Sequence, residues 1–123
     1  MLSPVSIERL RACHPDIQRV VELAASRFPF TVLCGFRGEE EQKKAFAEGK
    51  SRAKWGESKH NATPSQAVDL APLPIDWENL PRFRTMANVV LQAAKELNVQ
   101  LVWGGDFKKL KDMPHFELAS PKK

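Results

Sequence analysis

Ser58-Lys59-His60-Asn61-Ala62-Thr63-Pro64-Ser65-Gln66-Ala67-Val68-Asp69 decides how the rest of this chain is read. The stretch sets a histidine and a carboxylate at either end of a polar loop that runs into a short apolar alternation. Both are residue types that hold catalytic zinc. Gln66-Ala67-Val68-Asp69-Leu70 predicts a strand with Ala67 and Asp69 on one face and Val68 on the other. The small Ala67 leaves room beside Asp69. A third candidate ligand, His115, lies far downstream in Asp112-Met113-Pro114-His115-Phe116-Glu117, where Met113 to Leu118 predicts a last short strand. The remaining elements therefore have to bring two distant segments together.

Upstream, Ser3-Pro4 has the form of a helix start, a cap followed by proline, and predicts a short helix over about residues 4–11. His14-Pro15-Asp16 restarts a helix, with Asp16 well placed for its N-terminal dipole. Ile17, Val20, Val21, Ala24, Ala25 and Phe28 repeat along it as one buried face, and Pro29 ends it. His14 is thus read as a helix-entry residue. Phe30 to Cys34 predicts a buried strand closed by Gly35-Phe36-Arg37-Gly38. Glu39 to about Glu48 predicts a helix with acids at its start and Gly49 as its stop. Residues 50–66 form a long polar connection. Connections of that length are usually functional or disordered, and this one leads into His60, which favours function.

Downstream, Ala71-Pro72-Leu73-Pro74-Ile75-Asp76-Trp77 predicts an irregular crossing. Arg82 to Leu97 predicts the longest helix, burying Phe83, Met86, Val89, Val90, Ala93, Ala94 and Leu97, with Asn98 as its cap. Val99 to Trp103 predicts the third strand and Gly104-Gly105-Asp106 its turn, while residues 119–123 are expected to fray. This order predicts an α+β fold, a small and mostly antiparallel sheet with helices packed against it, as a single domain over residues 1–123.

Composition narrows the function classes. At 123 residues with 42% apolar and 28% charged residues, the chain reads as an ordinary soluble domain. No apolar run approaches the ~20 residues needed to span a bilayer, so no integral membrane segment is expected. Met1 to Arg9 lacks the basic and apolar regions of a signal peptide, which predicts synthesis in the cytoplasm without self-export. A formal charge of +4 favours anionic partners, including an acidic cell wall. The basic clusters Lys50-Ser51-Arg52-Ala53-Lys54 and Lys108-Lys109-Leu110-Lys111 read as solvated surface. No nucleic-acid-reading motif is present, so no nucleic-acid partner is expected. Cys13 and Cys34 lack Cys-x-x-Cys spacing and are not expected to pair; Cys34 reads as a small buried hydrophobe.

Catalytic zinc takes three protein ligands and keeps a fourth position open, and two histidines with one aspartate suit its ligand preferences. Asp112, three residues before His115, would then lie beside the site without being a ligand. A carboxylate there can take a proton from an attacking water and pass it to a leaving amine. Spacing by itself leaves another reading open: a histidine satisfied in a loop and an aspartate in a salt bridge.

Taken in order, Ser58-Lys59-His60, Ala67-Val68-Asp69 and Asp112-Met113-Pro114-His115 resemble the Ser-x-His…Ala-x-Asp and Asp/Glu-x-x-His motifs of the LAS zinc peptidases. That group includes D-Ala-D-Ala carboxypeptidases and dipeptidases and the L-alanyl-D-glutamate endopeptidases of phage endolysins. His14-Pro15-Asp16-Ile17-Gln18 is similar to the opening helix of the endolysin members. Gly35-Phe36-Arg37 with Glu40-Glu41-Gln42 is similar to their Gly-aromatic-Arg…Glu-Gln segment, and Trp103-Gly104-Gly105-Asp106 to their turn ahead of the last ligand. Matching pieces run from about residue 12 to residue 118.

The resemblance implies a LAS/hedgehog-like peptidase fold with a single Zn2+ held by His60, Asp69 and His115, and with Asp112 as catalytic base. By the same analogy Arg37 stabilises the oxyanion or holds a substrate carboxylate, since a guanidinium can donate two hydrogen bonds to such a group; a salt bridge to Glu40 or Glu41 is the alternative. Ser58 is expected to touch substrate or to orient the His60 loop, unless it is only a cap. Trp103 is expected in the pocket wall or core, or against substrate. Glu117 is expected either to support a ligand histidine or to stand exposed. Two features depart from the common pattern. The step of nine from His60 to Asp69 is longer, because Ala62-Thr63-Pro64-Ser65 extends the loop, and this should alter the pocket rim more than metal binding. The base is Asp where many relatives have Glu, which leans toward the endolysin members.

The function implied is a zinc-dependent peptidoglycan peptidase that cleaves the stem peptide, most simply an L-alanyl-D-glutamate endopeptidase from a phage or prophage. Such an enzyme would act as a monomer on the cell wall, reaching it after a separate protein permeabilises the inner membrane. The alternatives are a D-Ala-D-Ala carboxypeptidase with the same metal site, or a non-catalytic wall-binding or structural module. The presence of Asp112 and Arg37 beside all three ligands argues against the last.

Overall fold

The computed structural model describes residues 2–51, 53–106 and 111–119. Its elements follow in the order α1 (Pro4–Arg11), α2 (Pro15–Ala25), β1 (Phe30–Cys34), α3 (Glu39–Ala47), β2 (Ala67–Pro72), α4 (Leu80–Glu96), β3 (Leu101–Trp103) and β4 (His115–Leu118). Two single 3-10 turns, Lys59–Asn61 and Gly104–Asp106, precede β2 and follow β3. The four strands form one sheet in the order β1-β2-β4-β3, every neighbouring pair antiparallel. The fold is α+β, as the sequence predicts.

Local chemistry explains where most elements begin and end. Ser3 caps α1 by accepting from the Ser6 N–H at 3.2 Å. His14 caps α2 in the same way, its Nδ1 accepting from the Asp16 N–H at 3.1 Å, so it is the helix-entry residue expected. Helix α2 stops at Ala25, short of the predicted Phe28. The residue before a proline is pushed out of helical backbone, and the N–H groups of Arg27 and Phe28 both turn to the Ala24 carbonyl at 2.9 and 3.0 Å. Helix α4 starts at Leu80, two residues earlier than predicted, because Asn79 caps it through the Arg82 N–H at 3.2 Å. It ends in Asn98, whose φ of 59° is the left-handed exit that asparagine tolerates. Strand β4 starts at His115 rather than Met113, since Pro114 has no N–H to give to a ladder.

The register matters more than the boundaries. Val68 stands opposite Phe116, and Phe116 opposite Trp103, so these three form a row on one face. Asp69 stands opposite His115 on one side and Cys34 on the other, a row on the opposite face. The first row joins the hydrophobic core with Ile17, Val20, Val21, Leu70, Phe83, Met86 and Val90, where α2 and α4 pack over the sheet. The second row is left for polar chemistry. Asp69 and His115 sit on β2 and β4, the two central strands, where the backbone is held from both sides, and Cys34 ends the edge strand β1.

Ala119, expected to begin a frayed tail, instead donates its N–H to the Gln100 carbonyl at 3.0 Å. The rest of that tail, residues 120–123, lies outside the described residues, as do Lys108, Lys109 and Leu110 of one basic cluster and Arg52 of the other.

Candidate metal centre

His60 is delivered by the Lys59–Asn61 turn. Ser58 Oγ accepts from the His60 N–H at 3.2 Å, and Asn61 Oδ1 accepts in return from the Ser58 N–H at 3.2 Å and the Gly56 N–H at 3.0 Å. The imidazole, 2% exposed, places Nδ1 2.7 Å from the Gly35 carbonyl. A carbonyl only accepts, so Nδ1 carries a proton, and Nε2 turns inward, where losing its own proton would free a lone pair for a ligand. The long loop after it does not disturb this delivery. Ser65 is pinned to the α1–α2 junction by backbone bonds to Ala12 and His14, both 2.8 Å, and the chain enters β2 in register.

Asp69 and His115 arrive side by side from the central strands. His60 Nε2 lies 3.2 Å from Asp69 Oδ1 and 3.2 Å from His115 Nδ1, and His115 Nδ1 lies 3.1 Å from the same Asp69 oxygen. One ligand atom from each residue falls within 4.8 Å of the other two. The outer nitrogen of His115, Nε2, donates to Glu117 Oε1 at 2.8 Å. Glu117 Oε2 in turn meets Lys59 Nζ at 3.0 Å, and Lys59 also bonds the Leu118 carbonyl. Glu117 therefore supports His115 rather than standing exposed.

The electrostatics follow from this packing. Burial by itself would depress both histidines. Hydrogen bonds to Asp69 and Cys34 outweigh it for His60 and push its pKa up to about 10. For His115 the bonds to Asp69 and Glu117 push it up to about 9. Burial would raise Asp69, but the bonds from His115 and His60 hold it well below the usual carboxylate range. Asp112 is shifted upward, first by burial of its carboxyl and then by the Asp69 charge, with His115, His60 and Arg37 pulling the other way. Asp112 lies three residues before His115, in the turn that leads into β4. Its backbone closes the turn there, its N–H on the Gly104 carbonyl at 3.0 Å and its carbonyl taking the His115 N–H at 3.1 Å.

Arg37 does not pair with Glu40 or Glu41. Its Nη1 donates to Gln42 Oε1 at 3.1 Å and its Nη2 faces Asp69 Oδ2 at 3.7 Å. Its backbone is clamped to the His60 turn at both ends, N–H to the His60 carbonyl at 2.8 Å and carbonyl to Asn61 Nδ2 at 3.0 Å. Ser58 serves as the cap of the His60 turn. Trp103 lies on the core face at 3% exposure, which leaves its ring little surface for a substrate; its indole N–H holds the Met113 carbonyl at 2.7 Å. Both cysteines are free thiols. Cys13 is buried, and that burial pushes its pKa up to about 12. Cys34 is only half-buried, contrary to the sequence reading; it stands opposite Asp69, with its Sγ 3.9 Å from His60 Nδ1.

Two imidazole nitrogens and a carboxylate oxygen converging from three segments suit a borderline cation such as zinc, and the second nitrogen of each imidazole is already engaged by a carbonyl or a carboxylate. These residues can hold a metal ion. The sequence reading did not find Lys59 as a partner of Glu117, the Gly35 carbonyl as the partner of His60, or Gln42 as the partner of Arg37. Lys59 and Gln42 sit in polar stretches whose residues look solvated, and only the third dimension separates them from their neighbours.

A family model described as “Phage L-alanyl-D-glutamate peptidase” matches residues 1–118. The L-alanyl-D-glutamate peptidase of Escherichia phage T5 is 32% identical over 107 residues, covering 83% of this chain and 77% of the relative. The crystal structure of the Serratia marcescens L-Ala D-Glu endopeptidase ChiX superposes with a TM-score of 0.84 at 34% identity, covering 97% of this chain and 90% of that one.

Proposed function

The chain belongs to the phage L-alanyl-D-glutamate peptidase family, and we propose that it hydrolyses the L-Ala–D-Glu bond of peptidoglycan stem peptides at a zinc site formed by His60, Asp69 and His115. The observation that carries this reading is the convergence of those three ligand atoms within 4.8 Å, with Arg37 Nη2 3.7 Å from Asp69 Oδ2. Zinc, when bound, polarises a scissile carbonyl and makes water a competent nucleophile near neutral pH. Asp112 takes the proton from the attacking water and returns it to the departing D-Glu nitrogen; its raised pKa suits a group that must both accept and give a proton. Arg37 offers its guanidinium to the charge that develops on the carbonyl oxygen, or to a substrate carboxylate. Ser58 acts through the turn it caps, and Trp103 through the Met113 carbonyl it holds.

Among the described residues no helix is long and apolar enough to cross a membrane. The substrate is the cell wall, which a phage lysis enzyme made in the host cytoplasm reaches once another protein has permeabilised the inner membrane. The net charge of +4 favours retention on an anionic wall.

Digestion of purified peptidoglycan by zinc-loaded protein, with product ends read by mass spectrometry, tests the reading. New amino termini on D-Glu are expected, and an Asp112→Ala protein that still binds zinc should produce none. Release of free D-Ala would instead make the protein a carboxypeptidase. Binding of zinc and wall without any cleavage would make it a non-catalytic module.

A further inference from the structure

Helix α3 opens on six polar residues and closes on Ala45-Phe46-Ala47, yet of its nine residues the one that is buried is an amide: Gln42, at 0% exposure. A buried amide is tolerated when its hydrogen bonds are made, and Gln42 makes four. Its Oε1 accepts from Arg37 Nη1 at 3.1 Å and from Asn61 Nδ2 at 3.2 Å. Its Nε2 donates to Ser51 Oγ at 3.0 Å and to the Ala53 carbonyl at 2.6 Å. The Ala53 carbonyl can only accept, so the orientation of the amide follows from its surroundings, with the oxygen toward Arg37.

Three parts of the molecule therefore meet on one side chain: the guanidinium of Arg37, the turn that delivers His60, and Ser51 and Ala53 of the polar connection. With Nη1 taken by Gln42, the other arm of the fork, Nη2, points toward Asp69 Oδ2 at 3.7 Å. An unbraced arginine on the segment after β1 would have several rotamers open to it. We propose that Gln42 is a positioning residue for the reaction: it fixes Arg37 in the single orientation that aims one arm of its guanidinium into the metal centre. This rests on the role given to Arg37 above. Gln42 touches neither ligand nor substrate and acts only through its neighbours.

The test is a double-mutant cycle on zinc-loaded protein, using Gln42→Leu, Arg37→Ala and the double variant. A soluble muropeptide containing the L-Ala–D-Glu bond is the substrate, and zinc affinity is measured in parallel by chelator competition. Gln42→Leu should lower kcat by about tenfold or more, because a misaimed group costs rate steeply, with zinc affinity changed less than about twofold. On the Arg37→Ala background the same substitution should cost less than about twofold. If Gln42→Leu does not fold, Gln42→Asn, which withdraws the amide by one methylene, enters the same cycle with the same expectation. An equal loss in both backgrounds, or a fall in zinc affinity that tracks the fall in kcat, would overturn the proposal in favour of a general structural role. Full activity of Gln42→Leu beside an inactive Arg37→Ala would overturn it while leaving the Arg37 role intact. Full activity of Arg37→Ala would remove that role and this inference together.

Discussion

His115 uses its two ring nitrogens differently, and the difference is set by one carboxylate. Nδ1 faces His60 and Asp69, while Nε2 donates to Glu117, which Lys59 anchors from the residue next to the other ligand histidine. The hydrogen bond from His115, opposed by partial burial and helped by Lys59, holds Glu117 below its ordinary carboxylate range, so it stays an acceptor. A charged acceptor fixes the tautomer and makes the imidazole a better donor to a metal. Glu117→Gln keeps the size but removes the charge and the Lys59 pair, and should weaken zinc binding roughly tenfold; Glu117→Ala should approach a hundredfold. Competition with a chromophoric chelator measures both. Unchanged affinity would mean that the strand backbone alone orients His115. The candidate ligands were legible in the sequence because a histidine or an aspartate at the entry or middle of a strand stands out. The residues that brace the site were not, because Lys59 and Gln42 look like any other polar residue in a polar stretch until the fold pairs them with Glu117 and Arg37.

At the scale of elements, the site depends on how closely the turn after β3 approaches the turn before β4. A Cβ on Gly104 would collide with the Asp112 carbonyl and meet the Cβ atoms of Asp112 and His115 at 3.0 Å each. Most of those contacts are backbone or rigid, so Gly104→Ala has to push the proposed base and a ligand together away from Asp69. Overpacking of this kind costs about 1–3 kcal/mol, and its effect on function should be larger than that on stability. We expect zinc affinity and turnover each to fall about tenfold or more, read by chelator competition and muropeptide digestion. Gly49 is the control: its φ is 75° and its Cβ would meet nothing within 4 Å. Gly49→Ala should lose only the roughly 1–2 kcal/mol of a left-handed alanine, with zinc binding intact. A Gly104→Ala protein that behaved like the Gly49 variant would show that the two turns are free to separate. Helix periodicity and caps made α1, α2, α3 and α4 readable to within a few residues. The pairing order β1-β2-β4-β3 was not, because alternation tells which face a residue takes and not which strand it lies beside.

Across the whole molecule, a bound metal would tie together three segments that the chain otherwise joins only through the sheet: the His60 turn, β2 and β4. A ligand that binds only the folded protein stabilises it by mass action, about 2.7 kcal/mol at one hundred times its dissociation constant. For a chain of this size that is roughly 10 °C in Tm. The pH dependence has a definite sign. Without metal, the pKa values of His60 and His115 are raised from 6.5 to about 10 and about 9, so their contribution to stability is complete below about pH 6.5. It is lost as the pH rises through 9 and 10. Asp69 is depressed, so its contribution is present above about pH 4 and is lost only as the pH falls through its lowered value. A metal needs both inward ring nitrogens free of protons, and with these nitrogens 3.2 Å apart it must displace at least one. Raising the pH therefore weakens the metal-free cluster and strengthens metal binding at once. The gap in Tm between zinc-loaded and chelator-treated protein should widen steadily from pH 6 to pH 9, and the heat of zinc binding at pH 7 should depend on the ionisation heat of the buffer. The His60→Ala protein should lose both effects. A Tm gap that stayed constant or narrowed over that range would mean that His60 and His115 do not share the ion, and the site would have to be sought elsewhere.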